Sequence, residues 1–137
     1  LLLKMRAFVS NLGLTQTKFE DTSGLSAKNV SSASELAVIA RNIFENDPQI
    51  IDITRLRQYI GVHTGWLNNN PLIAESGYRG GKHGFTYEAN RTDIAFFDEK
   101  FAHGQVRTIG YVLLGSDNIQ KDIGILRHEV EQKVDFN

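Results

Sequence analysis

Tyr78-Arg79-Gly80-Gly81-Lys82-His83-Gly84-Phe85-Thr86 opens a series of three runs with strand composition. The second is Thr92-Asp93-Ile94-Ala95-Phe96-Phe97-Asp98-Glu99-Lys100-Phe101, and the third is Gln105-Val106-Arg107-Thr108-Ile109-Gly110-Tyr111-Val112-Leu113-Leu114. The third alternates: Val106, Thr108, Gly110, Val112 and Leu114 share one side, Tyr111 and Leu113 the other. His103-Gly104 between the second and third predicts a hairpin turn, so these two strands are read as antiparallel.

Upstream, the texture is helical. Leu2, Met5, Val9 and Leu12 recur at helical spacing and Gly13 follows as a stop, which predicts a helix over 2–12. Thr15 to Thr22 reads as extended or loop, and Ser23-Gly24-Leu25-Ser26 as a turn. Ser32-Ala33-Ser34-Glu35 has the form of a capping box, a hydroxyl at the cap and a glutamate three residues on. Leu36, Ile39, Ala40, Ile43 and Phe44 then share a face, predicting a helix over 33–46. Asp47-Pro48 starts a short helix, with Ile50, Ile51 and Ile53 on its apolar side. Tyr59, Ile60, Val62 and Trp66 suggest a strand pair bending near His63-Thr64-Gly65, and Asn68-Asn69-Asn70-Pro71 is a loop. After the three strands, Ile119, Ile123, Leu126, Val130 and Val134 predict a closing helix. Helices, then strands, then one helix argue for an α+β fold with an antiparallel sheet.

Composition narrows the function classes. A chain of 137 residues fits one domain. Fifteen basic against sixteen acidic residues give a net charge of −1, so no polyanion-binding field exists and nucleic acid is not the expected partner. With no cysteine, disulfides and thiolate zinc sites are excluded. No apolar run approaches the ~20 residues of a membrane span. The opening Leu1-Leu2-Leu3 enters in the middle of an apolar pattern, as in a fragment.

One segment points to ligand chemistry. Lys82-His83-Gly84, behind Gly80-Gly81, can present a cation and backbone N–H groups to an anion. The plainer reading is a lysine placed on a sheet edge to discourage pairing.

Five colinear stretches carry a family resemblance. They are Met5-Arg6-Ala7-Phe8-Val9-Ser10-Asn11-Leu12-Gly13-Leu14, Thr17-Lys18-Phe19-Glu20-Asp21-Thr22-Ser23-Gly24-Leu25 and Ser31-Ser32-Ala33-Ser34-Glu35-Leu36-Ala37. Leu67-Asn68-Asn69-Asn70-Pro71-Leu72 and Gly80-Gly81-Lys82-His83-Gly84-Phe85-Thr86 complete the set. Together they resemble the C-terminal half of the serine-type D-alanyl-D-alanine carboxypeptidases, the low-molecular-mass penicillin-binding proteins of peptidase S11 type. The last stretch sits where that family has G-I-K-T-G-x-T.

The resemblance implies a β-lactamase/transpeptidase-like fold, of which residues 1–137 form the C-terminal part of one domain. It implies a cell-envelope location and hydrolysis of peptidoglycan stem peptides through an acyl-serine, with no cofactor. In such enzymes a lysine one helical turn from the serine activates it for attack on the D-Ala–D-Ala carbonyl. The K-T-G strand walls the cleft, its lysine facing the substrate carboxylate and a nearby N–H joining the oxyanion hole. Lys82, His83, Gly84 and Phe85 are therefore the candidate residues for binding a stem peptide or a β-lactam. No catalytic residue is expected in this chain: no serine has a lysine three residues on, and S-x-x-K and S-x-N are expected upstream. The missing part would include two strands and the central helix, so an apolar sheet face is expected to lie uncovered. Either the upstream half as a second chain or a copy of this chain covers it, or the core is unusual. The alternative is a catalytically inactive relative that binds peptidoglycan or a protein.

Several residues have rival readings. His83 stands where the family has threonine; an imidazole can also donate to a carboxylate, but it is larger and titrates near neutrality. It marks either a drifted, inactive site or a carboxylate site of altered specificity. Ser116-Asp117-Asn118 spells a β-lactamase motif on the wrong side of Lys82 in chain order, and reads as a helix cap by Ser116 or Asp117. His63, His83, His103 and His128 lack metal-ligand spacing and read as surface or turn residues. Asp98-Glu99-Lys100 reads as a solvated strand end, Tyr59 and Trp66 as hairpin packing, and Glu129, Glu131 and Lys133 as a solvated helix face.

Overall fold

The computed structural model describes residues 1–101 and 104–133. Helix α1 (Leu2–Asn11) buries Val9 and ends before Gly13, whose φ of 71° turns the chain away. The following loop doubles back, and Lys18 and Val30 exchange backbone hydrogen bonds of 2.8 and 3.0 Å. Helix α2 (Ala33–Asn46) and helix α3 (Pro48–Thr54) follow. A two-stranded ribbon pairs β1 (Gln58–Ile60) with β2 (Gly65–Leu67). Then come β3 (Tyr78–Thr86), β4 (Asn90–Lys100), β5 (Val106–Ser116) and helix α4 (Ile119–Lys133).

The three long strands form an antiparallel meander in the order β3-β4-β5, so β3 and β5 are edges. Period-two alternation splits β4 between two cores. Ala95 and Phe97 face α4, where Tyr111, Ile119, Ile123 and Leu72 join them. Phe96 faces the other way onto Ala40 and Ile51 of α2 and α3, and stacks on Phe44 with ring centroids 5.0 Å apart. Each such buried aromatic is worth about 1.5–3 kcal/mol of transfer free energy. The α+β class with an antiparallel sheet and a C-terminal helix is thus the observed architecture, with helices on both faces of the sheet.

Several expectations need correction. The sheet face opposite α4 is not left bare, because α2 and α3 lie on it. Exposed apolar side chains gather elsewhere, as on the ribbon, where Ile60 and Val62 are 80% and 92% exposed. Glu99 is no solvated strand end. It lies on the same side of β4 as Ala95 and Phe97 and is 1% exposed. Arg127 of α4 reaches it through Nε (2.7 Å) and Nη2 (3.1 Å), and the Tyr111 hydroxyl donates to it at 2.9 Å. The same guanidinium lies 4.1 Å from the Phe97 ring centroid.

The cap of α4 is neither Ser116 nor Asp117 but Asn118, whose Oδ1 accepts the Lys121 N–H at 3.0 Å. Ser116 instead donates to Asp122 at 2.7 Å.

The capping box at α2 is half formed. Ser32 Oγ accepts the Glu35 N–H at 3.3 Å, but the Glu35 carboxylate turns outward to the Thr15 and Gln16 N–H groups and to Thr17 Oγ1 at 2.6 Å. That bond ties two of the family-like stretches together. His103 and Val134 lie outside the described residues.

Candidate ligand-binding site

The site is built on the open edge of β3. Gly80 lets α3 come close to that edge, and Gly81 lets β4 approach from the other side. At Gly80, with φ of 139°, a side chain would meet Ile51 O at 2.6 Å and Thr54 Oγ1 at 2.7 Å; at Gly81 it would run into Ile94 O. The closeness is used. Thr54 Oγ1 accepts the Gly81 N–H at 3.0 Å and donates to Ile51 O at 2.9 Å. The Gly81 N–H therefore faces away from β4. By the alternation of a strand, the N–H groups of His83 and Phe85 face the same way.

The asparagine turn forms the opposite bank. Asn68 Nδ2 donates to Thr54 O at 2.8 Å and Leu56 O at 3.0 Å, and its Oδ1 accepts the Asn70 N–H at 3.0 Å. Asn70 Oδ1 accepts the Leu72 N–H at 2.9 Å, and Leu72 is fully buried in the core under α4. These asparagines hold the backbone; that role accounts for their spacing.

Between the two banks lies a hollow of ≈ 220 Å³, lined by Thr54, Trp66, Asn68, Asn70, Lys82 and His83 among others. Lys82 is exposed, and its Nζ donates to the outward-facing His83 carbonyl oxygen. A second hollow of ≈ 430 Å³, toward the start of α4, is lined by Gly84, Phe85, Arg91, Asp117, Gln120 and again His83.

The four candidate residues are thus divided. Lys82 and His83 meet the asparagine turn, Gly84 and Phe85 face the other hollow, and only His83 borders both. Phe85 is 55% exposed, with Arg91 5.5 Å from its ring centroid. Among the described residues, no three of His, Cys, Asp and Glu gather as metal ligands.

One residue of the site escaped the sequence reading. Asp93 pairs with His83 across the β3–β4 register, is 2% exposed, and neither of its oxygens has a hydrogen-bond partner. Burial pushes its carboxyl up to about 6, against the pull of the Lys82 charge and of the neighbouring Ile94 N–H. Burial, then the Lys82 charge, moves the His83 imidazole the other way, below its ordinary value. The signal was present in the alternation, which places Asp93 on the same face of β4 as Ala95 and Phe97.

The sequence model of the family described as D-alanyl-D-alanine carboxypeptidase matches residues 2–116. The chain belongs to that family. No curated protein matches it by sequence alone. Among solved structures, penicillin-binding protein D2 of Listeria monocytogenes in its cefotaxime-bound form superposes with a TM-score of 0.78 at 23% identity, over 96% of this chain and 55% of that one. Penicillin-binding protein 6B of Escherichia coli gives a TM-score of 0.76 at 26% identity, over 96% of this chain and 42% of that one. A peptidoglycan synthesis regulatory factor of Streptococcus pneumoniae gives 0.80 at 22% identity, over 96% and 46%. This carboxypeptidase-family chain therefore has the transpeptidase-like fold and spans about half the length of these relatives.

Proposed function

We propose that this chain supplies the third wall of an acyl-transfer cleft in a serine-type D-Ala-D-Ala carboxypeptidase of the cell envelope, residues 1–137 being the C-terminal part of its single penicillin-binding domain. The observation that carries this reading is the β3 edge: an exposed lysine beside outward-facing N–H groups, across a hollow from the asparagine turn. Lys82 would attract the carboxylate that ends a stem peptide or a β-lactam. An outward backbone N–H would stabilise the oxyanion formed when the acyl carbonyl is attacked. The nucleophilic serine and its lysine base are assigned to the half of the fold outside this chain. Their acyl-enzyme, formed with loss of D-alanine, would be cleared by water.

The test is labelling with a fluorescent penicillin of the full protein that carries this chain. A covalent adduct that is retained in the wild type and lost in Lys82→Ala supports the reading. A complete protein that never forms an adduct sinks it.

A second reading, an inactive relative that binds stem peptides or a protein partner, is favoured by one residue, His83 in the threonine position. His83→Thr separates the two. Under the first reading the variant labels at least as fast as the wild type; under the second it stays unlabelled.

A further inference from the structure

His83 and Asp93 are each incomplete, and they face each other. Directly paired residues of an antiparallel sheet carry their side chains on the same face, with Cβ atoms about 5 Å apart. The Asp93 carboxylate is shut away from solvent with no donor, and among the described residues no hydrogen bond reaches the His83 ring. A buried carboxylate without a donor costs free energy that one ring N–H, within a rotamer change, would offset. His83 also borders the hollows on both sides of the β3 edge. It can turn one nitrogen inward and leave the other at the edge.

We propose that Asp93 is the positioning residue of His83, taking one ring N–H so that the other ring nitrogen faces the ligand at the β3 edge. The assignment of that edge to a carboxylate ligand rests on the function proposed above; the pairing itself does not. The ring would lie between two anions, Asp93 inside and the ligand carboxylate outside, and would be doubly protonated when both are engaged. Ligand binding then takes up a proton, and the edge selects for anions more strongly as pH falls.

Other charges face this pair. Lys82 adjoins on β3, Arg91 lies on β4, and Asp117 precedes α4 on the wall of the larger hollow. Asp52 and Arg55 of α3 pair with each other at 3.2 Å. The rival for Asp93 is the Tyr78 hydroxyl, also buried without a partner and held above its ordinary value by burial and by the Asp93 charge.

The experiment is an NMR titration of the histidine rings in the wild type, Asp93→Asn and Asp93→Leu. Loss of the carboxylate should lower the His83 pKa by about one unit or more and leave His63 and His128 unmoved. An unchanged His83 titration assigns Asp93 to Tyr78 and overturns the proposal. Should either Asp93 variant fold poorly, His83→Gln provides the reciprocal measurement: the Asp93 carboxyl pKa must rise, and a constant value overturns the pairing. A benzylpenicillin titration at pH 6 and pH 8 reports separately on the ligand. If His83 couples to Asp93 but benzylpenicillin leaves its ring signals unmoved at both, the pairing stands and the ligand assignment fails.

Discussion

Arg127→Met tests how α4 is held to the sheet. The guanidinium gives Glu99 two hydrogen bonds, at 2.7 and 3.1 Å, and a third to Ser76 O at 3.1 Å. Methionine keeps an apolar stem over Phe97 but leaves Glu99, 1% exposed, with the Tyr111 hydroxyl as its remaining donor. Two charge-assisted bonds at about 1.5–3 kcal/mol each bracket the loss at roughly 3–6 kcal/mol. Broken buried ion pairs cost about 3–5 kcal/mol, and the two estimates overlap. For a domain of this size that is a fall of roughly 10–20 °C in Tm. Urea unfolding reads it as a lower midpoint at unchanged slope. Glu99→Gln combined with Arg127→Met should recover part of the loss, because the neutral amide still accepts from Tyr111 and no buried charge is stranded. A cost below about 1 kcal/mol, or one erased by 0.5 M salt, would mean that the pair contributes no more than an exposed one.

Asp93→Asn should stabilise the protein at pH 7. The folded carboxyl titrates near 6 against a reference of 3.8, so the folded state binds the extra proton between these values and wild-type stability falls as pH rises through them. The variant's advantage should reach on the order of 2–3 kcal/mol above pH 6 in a His83→Gln background, be smaller where the ring N–H offsets the buried charge, and vanish below pH 4. Chemical unfolding at several pH values checks this, and a pH-independent difference counts against it. Thr54→Val strands the Gly81 N–H and should cost about 1–2 kcal/mol, whereas Thr54→Ser should be near neutral; hydrogen exchange at Gly81 would show which holds. Gly80→Ala combines a positive φ with a clash against α3, and should cost more than about 1 kcal/mol, measured as a lower unfolding midpoint.

The parts of the fold that a single period describes were legible. Leu36 to Phe44 at helical spacing and the alternation from Val106 to Leu114 lead to α2 and β5 within two residues of their ends. Reading by charge alone misled. Asp98-Glu99-Lys100 looks like solvent, yet the pleat turns Glu99 inward, and its partner Arg127 is 28 positions away. The alternation places Asp93 inward with Ala95 and Phe97, but its pairing with His83 depends on the register of the neighbouring strand. Ser116 and Asp117 have cap chemistry, but the helix begins one residue later and Asn118 stands at its start. Glu35 has the right spacing for a capping box and is drawn away by backbone donors twenty residues upstream. At the site, Lys82 on an open edge was readable. The split of its neighbours between two hollows was not, because it depends on which face each side chain takes.

Thr54 ends as the most connected small residue of the site. Through three hydrogen bonds on two polar atoms, Oγ1 and O, it ties together the end of α3, the first glycines of β3 and the asparagine turn. None of these segments can be exchanged between relatives as an independent cassette. A chimera that imports a new Gly80–Thr86 strand inherits its height above the hollow from a threonine 26 positions before the graft, and a donor strand fitted to a different residue there would sit out of reach of its own turn.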